Sequence, residues 1–259
     1  AGPGVAGALI KLGGAPRALL ADAVLLLVSV AILRGMPVLE EVPARRDTHF
    51  WHDLRQGLQF VLRQRLLLPL ATTVGLWQMC HHSAMVVQIL FATRILGLNE
   101  HQIGFCYVGL GLGTIAASTL GNRISRRIGP GRCLVLGFAV CGLGWLQLAF
   151  APANAWGVAA FVLMLLCFST GAVLIFINFL ALRQAVTPAP LLGRMTSTMR
   201  WLILLPAAPG ALLGGYVGEH LGLRYALALG GASALLLAAW AWHHPVIRNI
   251  LQLPQPEDA

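Results

Sequence analysis

Lysine is nearly missing from this 259-residue chain, where Lys11 is the only one among 18 basic residues. Charged residues of all kinds make up 10% of it, against roughly 25% in a typical soluble domain. So few charges cannot cover the surface of a water-soluble protein. Motifs that carry reaction chemistry are missing too. No GxxxxGK[ST] loop is present to cradle nucleotide phosphates, and neither HExxH nor GxSxG supplies a hydrolytic centre. Cys80, Cys106, Cys133, Cys141 and Cys167 are odd in number and form no CxxC pair, which argues against a disulfide framework or a zinc site. Each reads as a small buried residue on a helix. No charged leader runs into a cleavable apolar region. The chain opens on Ala1-Gly2-Pro3-Gly4, as though inside a helix, and is expected to be a fragment.

What is abundant is apolar sequence, at 58% hydrophobic residues and a mean hydropathy of +0.77. About 20 apolar residues, each rising 1.5 Å, span a hydrocarbon core near 30 Å. Seven windows meet or approach that length: Ala18–Leu33, Leu67–Ala92, Ile103–Leu120, Cys133–Ala151, Trp156–Leu182, Trp201–Val217 and Tyr225–Trp242. A further apolar stub, Val5–Leu12, precedes them. The windows are continuous where a membrane barrel would alternate, so helices are expected throughout. The fold class is all-α integral membrane. Trp156, Trp201, Trp240 and Trp242 fall at window ends, as interface anchors do.

The net charge of +9 would suggest nucleic acid in a soluble protein, but the arginines lie in short segments between apolar windows. Alternating spans put every basic residue except Lys11, Arg17, Arg94 and Arg224 on one side, expected to be the cytoplasm. The C-terminus falls on that side. Residues 34–66 form the one long polar stretch and are expected to be a linker holding an amphipathic helix. Its apolar face would carry Trp51, Leu54, Leu58, Val61 and Leu62, with Asp47 or Thr48 as cap. It reads as lying on the inner leaflet or as a solvated linker. The expected divisions are 1–33, the linker 34–66, a six-helix unit 67–244 and a tail 245–259.

An internal repeat is visible. Pro3-Gly4, Gly7-Ala8, a break at Lys11–Pro16 and Arg17-Ala18-Leu19-Leu20 correspond to Pro209-Gly210, Gly214-Gly215, a break at Gly218–Gly222 and Arg224-Tyr225-Ala226-Leu227. Each copy reads as a helix, a tight outer turn and another helix.

Gly2-Pro3-Gly4-Val5-Ala6-Gly7 resembles the GPxxGG motif of major-facilitator exporters, and Asn122–Arg132 resembles the degenerate second copy of that family's GxLaDRxGRR loop. Arg126 stands where that motif has Asp, and Pro130-Gly131 replace basic residues. Asn178–Gly215 and Gln56–Arg63 resemble the branch that includes enterobactin exporters, macrolide-efflux-like proteins and transmembrane secretion effectors. The resemblance implies a segment from the end of the fifth helix to the twelfth. It also implies a bacterial inner membrane and proton-driven efflux of a small amphipathic compound by a monomeric antiporter, without cofactor or metal. Import and an inert fragment are the alternatives, and a membrane enzyme around His81-His82 lacks the partner groups it needs. The motif residues Gly2, Pro3, Gly7, Arg126, Gly129, Pro209, Gly210, Gly214 and Gly215 are expected to serve helix packing or gating.

Polar residues within apolar windows are costly and become site candidates. Gln78, His81 and Gln88 share a helical face that either lines a cavity or bonds to neighbouring helices. Asn178 and Arg200 are candidates for the inner mouth, although Arg200 could equally snorkel to the surface. Asp22 is the one carboxylate inside a window. It either couples transport to protons or pairs with Arg17 one turn away.

Overall fold

The computed structural model describes residues 2–35 and 50–250, and among these every regular element is helical. The chain divides into two compact units, Ala1–His49 and Phe50–Ala259. The first holds one helix, α1 (Gly2–Arg34), with Pro16 inside it. The break expected at Lys11–Pro16 does not form, and α1 runs through it. A hairpin there would create two short helices, which depend on tertiary packing to persist. One helix keeps nearly all its backbone bonds internal, as a lipid setting demands.

The second unit begins with α2 (Phe50–Arg63) and continues with α3 (Leu67–Arg94), α4 (Glu100–Cys106) and α5 (Val108–Ile128). Then come α6 (Pro130–Ala149), α7 (Ala155–Ala185), α8 (Leu192–Leu204), α9 (Ala207–His220), α10 (Leu223–His243) and the short α11 (Pro245–Arg248). Among the described residues, five stretches are long and apolar enough to cross a membrane: α4 with α5, α6, α7, α8 with α9, and α10. The other two expected windows fall in α1 and α3. In α3 two glutamines and two histidines lower the hydropathy, although its 28 residues exceed the length of a span.

Turn chemistry sets the ends. Asn99 and Gln102 form a reciprocal capping box at the start of α4, and Asn154 accepts from the backbone N–H groups of Trp156 and Gly157 at the start of α7. Gly129, at φ 89°, lets the chain reverse between α5 and α6, where Pro130 opens the next helix. Gly222, at φ 112°, does the same between α9 and α10.

Two spans are interrupted. Tyr107 separates α4 from α5, and Leu205-Pro206 separate α8 from α9. The second break is written in the sequence, because Pro206 and Pro209 lack the N–H that would bond to the preceding turn.

The packing repeats itself. α5 lies on α7 as α9 lies on α3, α6 lies on α7 as α10 lies on α3, and α6 pairs with α10. Exchanging α3–α5–α6 for α7–α9–α10 leaves this set of neighbours unchanged. Three long helices, an odd number, precede the other three in the chain order, so the two sets run in opposite senses, as in an inverted repeat. Glycines mark the equivalent joints. A Cβ added at Gly109 would stand 2.8 Å from the Val162 carbonyl oxygen of α7, and one at Gly113 would stand 2.4 Å from that of Leu166. Gly210 and Gly214 approach the Met79 and Ser83 carbonyls of α3 in the same way, at 2.3 and 1.9 Å. Between α6 and α10 the contacts are reciprocal: Gly142 meets Leu235, and Gly231 meets Leu146. Small residues at such spacing let helix backbones touch, which is how helices associate in lipid.

The linker helix differs from its expected placement. Val61 is fully buried and Phe60 packs against the core, while Leu58 and Leu62 stay exposed. The side chains of Trp51 and Asp53, and Asp47 and Thr48 themselves, lie outside the described residues. α2 packs on α8, with Gly57 against Thr198 and Arg194 donating to the Gln56 side-chain oxygen at 2.5 Å. Gly57 explains the rotation, since a stripe drawn from large apolar residues passes over the position where α8 comes closest. A Gly57→Leu change would force side-chain atoms into the 2.3 Å space before Thr198 Oγ1. We expect it to undock α2, seen as at least a several-fold faster tryptic cleavage at Arg55 or Arg63, while α3–α10 keep their thermal stability.

Candidate functional site

The five cysteines are free thiols, four of them buried, as small core residues. Around them, α3, α6 and α7 build an aromatic core. His81 lies parallel to Phe168 with centroids 4.3 Å apart, and Trp77 stacks on His81 at 5.6 Å. Trp145 of α6 closes the group at 5.8 Å from His81. His81 Nδ1 is buried without a hydrogen-bond partner among the described residues, as are the indole nitrogens of Trp77 and Trp145. His82, next along, bonds through Nδ1 to the carbonyl of Gln78 at 2.8 Å.

The structure does not gather the sequence-derived candidates into one site. Gln78, His81 and Gln88 are all buried within the second unit. Gln88 Nε2 donates to the hydroxyl of Tyr107 at 3.1 Å, which ties α3 to the break between α4 and α5. That contact is interhelical, one of the two readings left open for this face. Gln88 stands ten residues, about 15 Å, along α3 from Gln78. Asn178 is buried on α7, donates to the carbonyl of Leu174 at 2.8 Å and accepts from Ser125 of α5 at 2.5 Å. Arg200 and Arg126 are exposed. Asp22 is exposed on α1, and the side chains of Arg17, Gly2, Pro3 and Gly7 lie outside the described residues, although their backbone is helical. Gly129 is a buried turn, Gly210 and Gly214 face α3, and an added Cβ at Gly215 meets nothing within 4 Å. Trp156, Trp201, Trp240 and Trp242 are exposed.

A shallow, open groove of about 1100 Å³ runs along α9, with Val86 of α3 at its edge. Val86, Pro209, Leu212 and Leu213 give it apolar walls, and Tyr216 and Glu219 supply the polar groups. Glu219 is the one carboxylate between residues 101 and 256. It is exposed, and no described basic side chain forms an ion pair with it. Beside it, Tyr216 stacks on His220 at 4.2 Å, and His220 Nδ1 bonds to the Tyr216 carbonyl at 2.9 Å. Sequence reasoning passed over Glu219 because the apolar window ends at Val217, whereas α9 runs to His220. On the span-length stretches of the second unit the described carboxylates are thus Glu219 and Glu100, the latter at the first residue of α4. The signal that finds Glu219 is helical spacing: Leu212, Tyr216 and Glu219 recur at four and three residues on one face.

No metal-ligating cluster occurs among the described residues. No curated protein matches the chain. The model of the Major Facilitator Superfamily matches it twice, over residues 1–208 and 83–257. The overlap of the two matches fits a family whose helices repeat, and the exchange of α3–α5–α6 with α7–α9–α10 is the nested inverted repeat of such transporters. The chain is a multi-pass membrane protein and belongs to the Major Facilitator Superfamily of secondary transporters.

Proposed function

We propose that the groove along α9 handles a small amphipathic compound, a drug or siderophore-like molecule, during proton-coupled export. The observation that carries this reading is the joining of apolar walls to one unpaired carboxylate, Glu219. An amphipathic cation satisfies both surfaces. On this reading the six-span unit is the C-terminal half of a twelve-helix antiporter, and α1 carries the last span of the preceding half. The site is completed between the halves, and access alternates as they rock. The arginine-bearing end faces the cytoplasm of a bacterial inner membrane, and the C-terminus lies with it. Arg200 stands at the mouth on that side. On this reading Asp22 and Glu219 exchange the proton, and the protein acts as a monomer.

The test uses rhodamine 6G, a fluorescent amphipathic cation. Cells producing the full-length protein should retain less dye than cells without it, and an uncoupler should remove the difference. Leu212→Trp, which sets a bulkier side chain on the α9 wall of the groove, should cut the difference by about half or more. Equal retention with and without the protein would end the claim of export for this class of compound.

A further inference from the structure

We infer that the arginine-bearing end of the six-span unit holds the phosphate of an anionic phospholipid, between the ends of α5, α6, α7 and α11. Helix alternation brings Arg126 and Arg127 of the last turn of α5, Arg132 of the first turn of α6 and Arg183 of the last turn of α7 to one end. Side-chain and backbone contacts draw these ends together. Ser125 of α5 donates to Asn178 of α7, and Gly131 of α6 donates its N–H to the carbonyl of Ile250 at 3.2 Å, just beyond α11.

The electrostatics are one-sided. No Asp or Glu occurs between residues 101 and 218, so the chain offers these arginines no carboxylate from their own helices. Arg132 and Arg183 are partly buried, and the Nε of each is shut off from solvent without a hydrogen-bond partner among the described residues. The guanidinium of Arg183 rests over the Phe179 ring, 5.2 Å from its centroid. Arg126 and Arg127 are exposed beside them. A guanidinium donates five hydrogen bonds in a planar fork that matches phosphate oxygens. Two such groups at the end of a bundle, with aliphatic stems along apolar helices, suit a lipid whose headgroup is anionic and whose chains follow the spans. Basic pockets between transmembrane helices take headgroups of this kind. The opposite end has no equivalent: Arg224 is occupied by the Ala149 carbonyl at 2.8 Å and the Phe91 ring, and only Arg94 remains. The inference is independent of what the protein transports and in which direction.

Native mass spectrometry of the full chain, released from detergent with phosphatidylglycerol, phosphatidylcholine or glycerol 1-phosphate, tests it. Phosphatidylglycerol should remain bound, with phosphatidylcholine at least about ten-fold weaker. The paired change Arg132→Gln with Arg183→Gln should weaken phosphatidylglycerol about thirty-fold, the attraction of two arginines to an anionic lipid surface. The exposed pair Arg126→Gln with Arg127→Gln should weaken it in the same direction, and its thermal unfolding should be unchanged, which separates lost binding from lost folding. Arg94→Gln, at the other end, should leave binding intact. Equal retention of phosphatidylcholine, or an equal loss in Arg94→Gln, would overturn the site. Displacement of the lipid by glycerol 1-phosphate at matched concentration would overturn it as a lipid site, by showing a preference for soluble phosphate.

Discussion

Replacing Gly214 by valine should cost the protein about 3 kcal/mol or more of stability, and Gly215→Val should cost little. The two residues are neighbours on one helix and differ in what they face. A Cβ at Gly214 would stand 1.9 Å from the Ser83 carbonyl oxygen and 2.6 Å from its Cα, so the obstacle is backbone. A side-chain obstacle can rotate away, but here α3 itself would have to move. Such a move strains α10 as well, because Gly230 presses on Cys80, Ser83 and Ala84 of the same stretch. At Gly215 an added Cβ meets nothing within 4 Å. Thermal unfolding of the two variants in one detergent checks the contrast. Similar melting temperatures for both would mean that α9 does not approach α3 this closely. The inverted repeat extends the expectation: Gly113→Val should match Gly214→Val in size, while Gly111→Val, with open space at its Cβ, should be mild.

Glu219→Gln should lower export of rhodamine 6G by about ten-fold or more while leaving folding intact, if the groove acts as proposed. The carboxylate is exposed, so amidation buries no new group and opens no cavity. What is lost is the one carboxylate that lines the apolar walls, and with it both a negative charge and a group that can hold a proton. The two losses separate experimentally. If Glu219 serves only to hold a cation, a neutral amphipathic substrate should still be exported against a proton gradient in Glu219→Gln. If it also carries the proton, export of both substrates should fall, and dye exchange without a gradient should survive. Unchanged export of rhodamine 6G would remove Glu219 from the site. Asp22→Asn provides the matching experiment on α1.

The spans were readable because runs of apolar residues report the solvent directly, and lipid allows little besides helices. Details that depend on a partner helix were not. The spacing of Gln78, His81 and Gln88 puts them on one helical face, and all three are buried, but the hydroxyl of Tyr107 that meets Gln88 lies 19 residues on. Nothing local to α3 says that the face turns into the second unit. Gly57 counted as a gap in an amphipathic stripe, although its missing side chain is what seats α2 on α8. Glu219 escaped because composition marks where apolar sequence stops and not where hydrogen bonding does. The outer turn expected in the first copy of the repeat follows the second copy, where Gly222 adopts a positive φ; α1 stays helical through Gly13, Gly14 and Pro16. Gly210 and Gly214 stood out beside Pro209, whereas Gly109 and Gly113, with the same spacing and the same task, had no proline to mark them.

A seam made of glycine against carbonyl has a mechanical consequence. Leucine or phenylalanine at a helix contact interlocks with its neighbours, and sliding one helix past the other requires each tooth to be lifted out. Along Gly210 and Gly214 the facing surface of α3 is bare backbone and nearly toothless, whereas at Gly113 the Ser169 and Thr170 side chains of α7 reach into the gap and Thr170 donates to the Gly113 carbonyl at 3.3 Å. Friction at the α9 seam is therefore low relative to the α5 seam and to the meshed aromatic block of Trp77, His81, Trp145 and Phe168, contributed by α3, α6 and α7. Shear in the second unit should concentrate where α9 glides on α3.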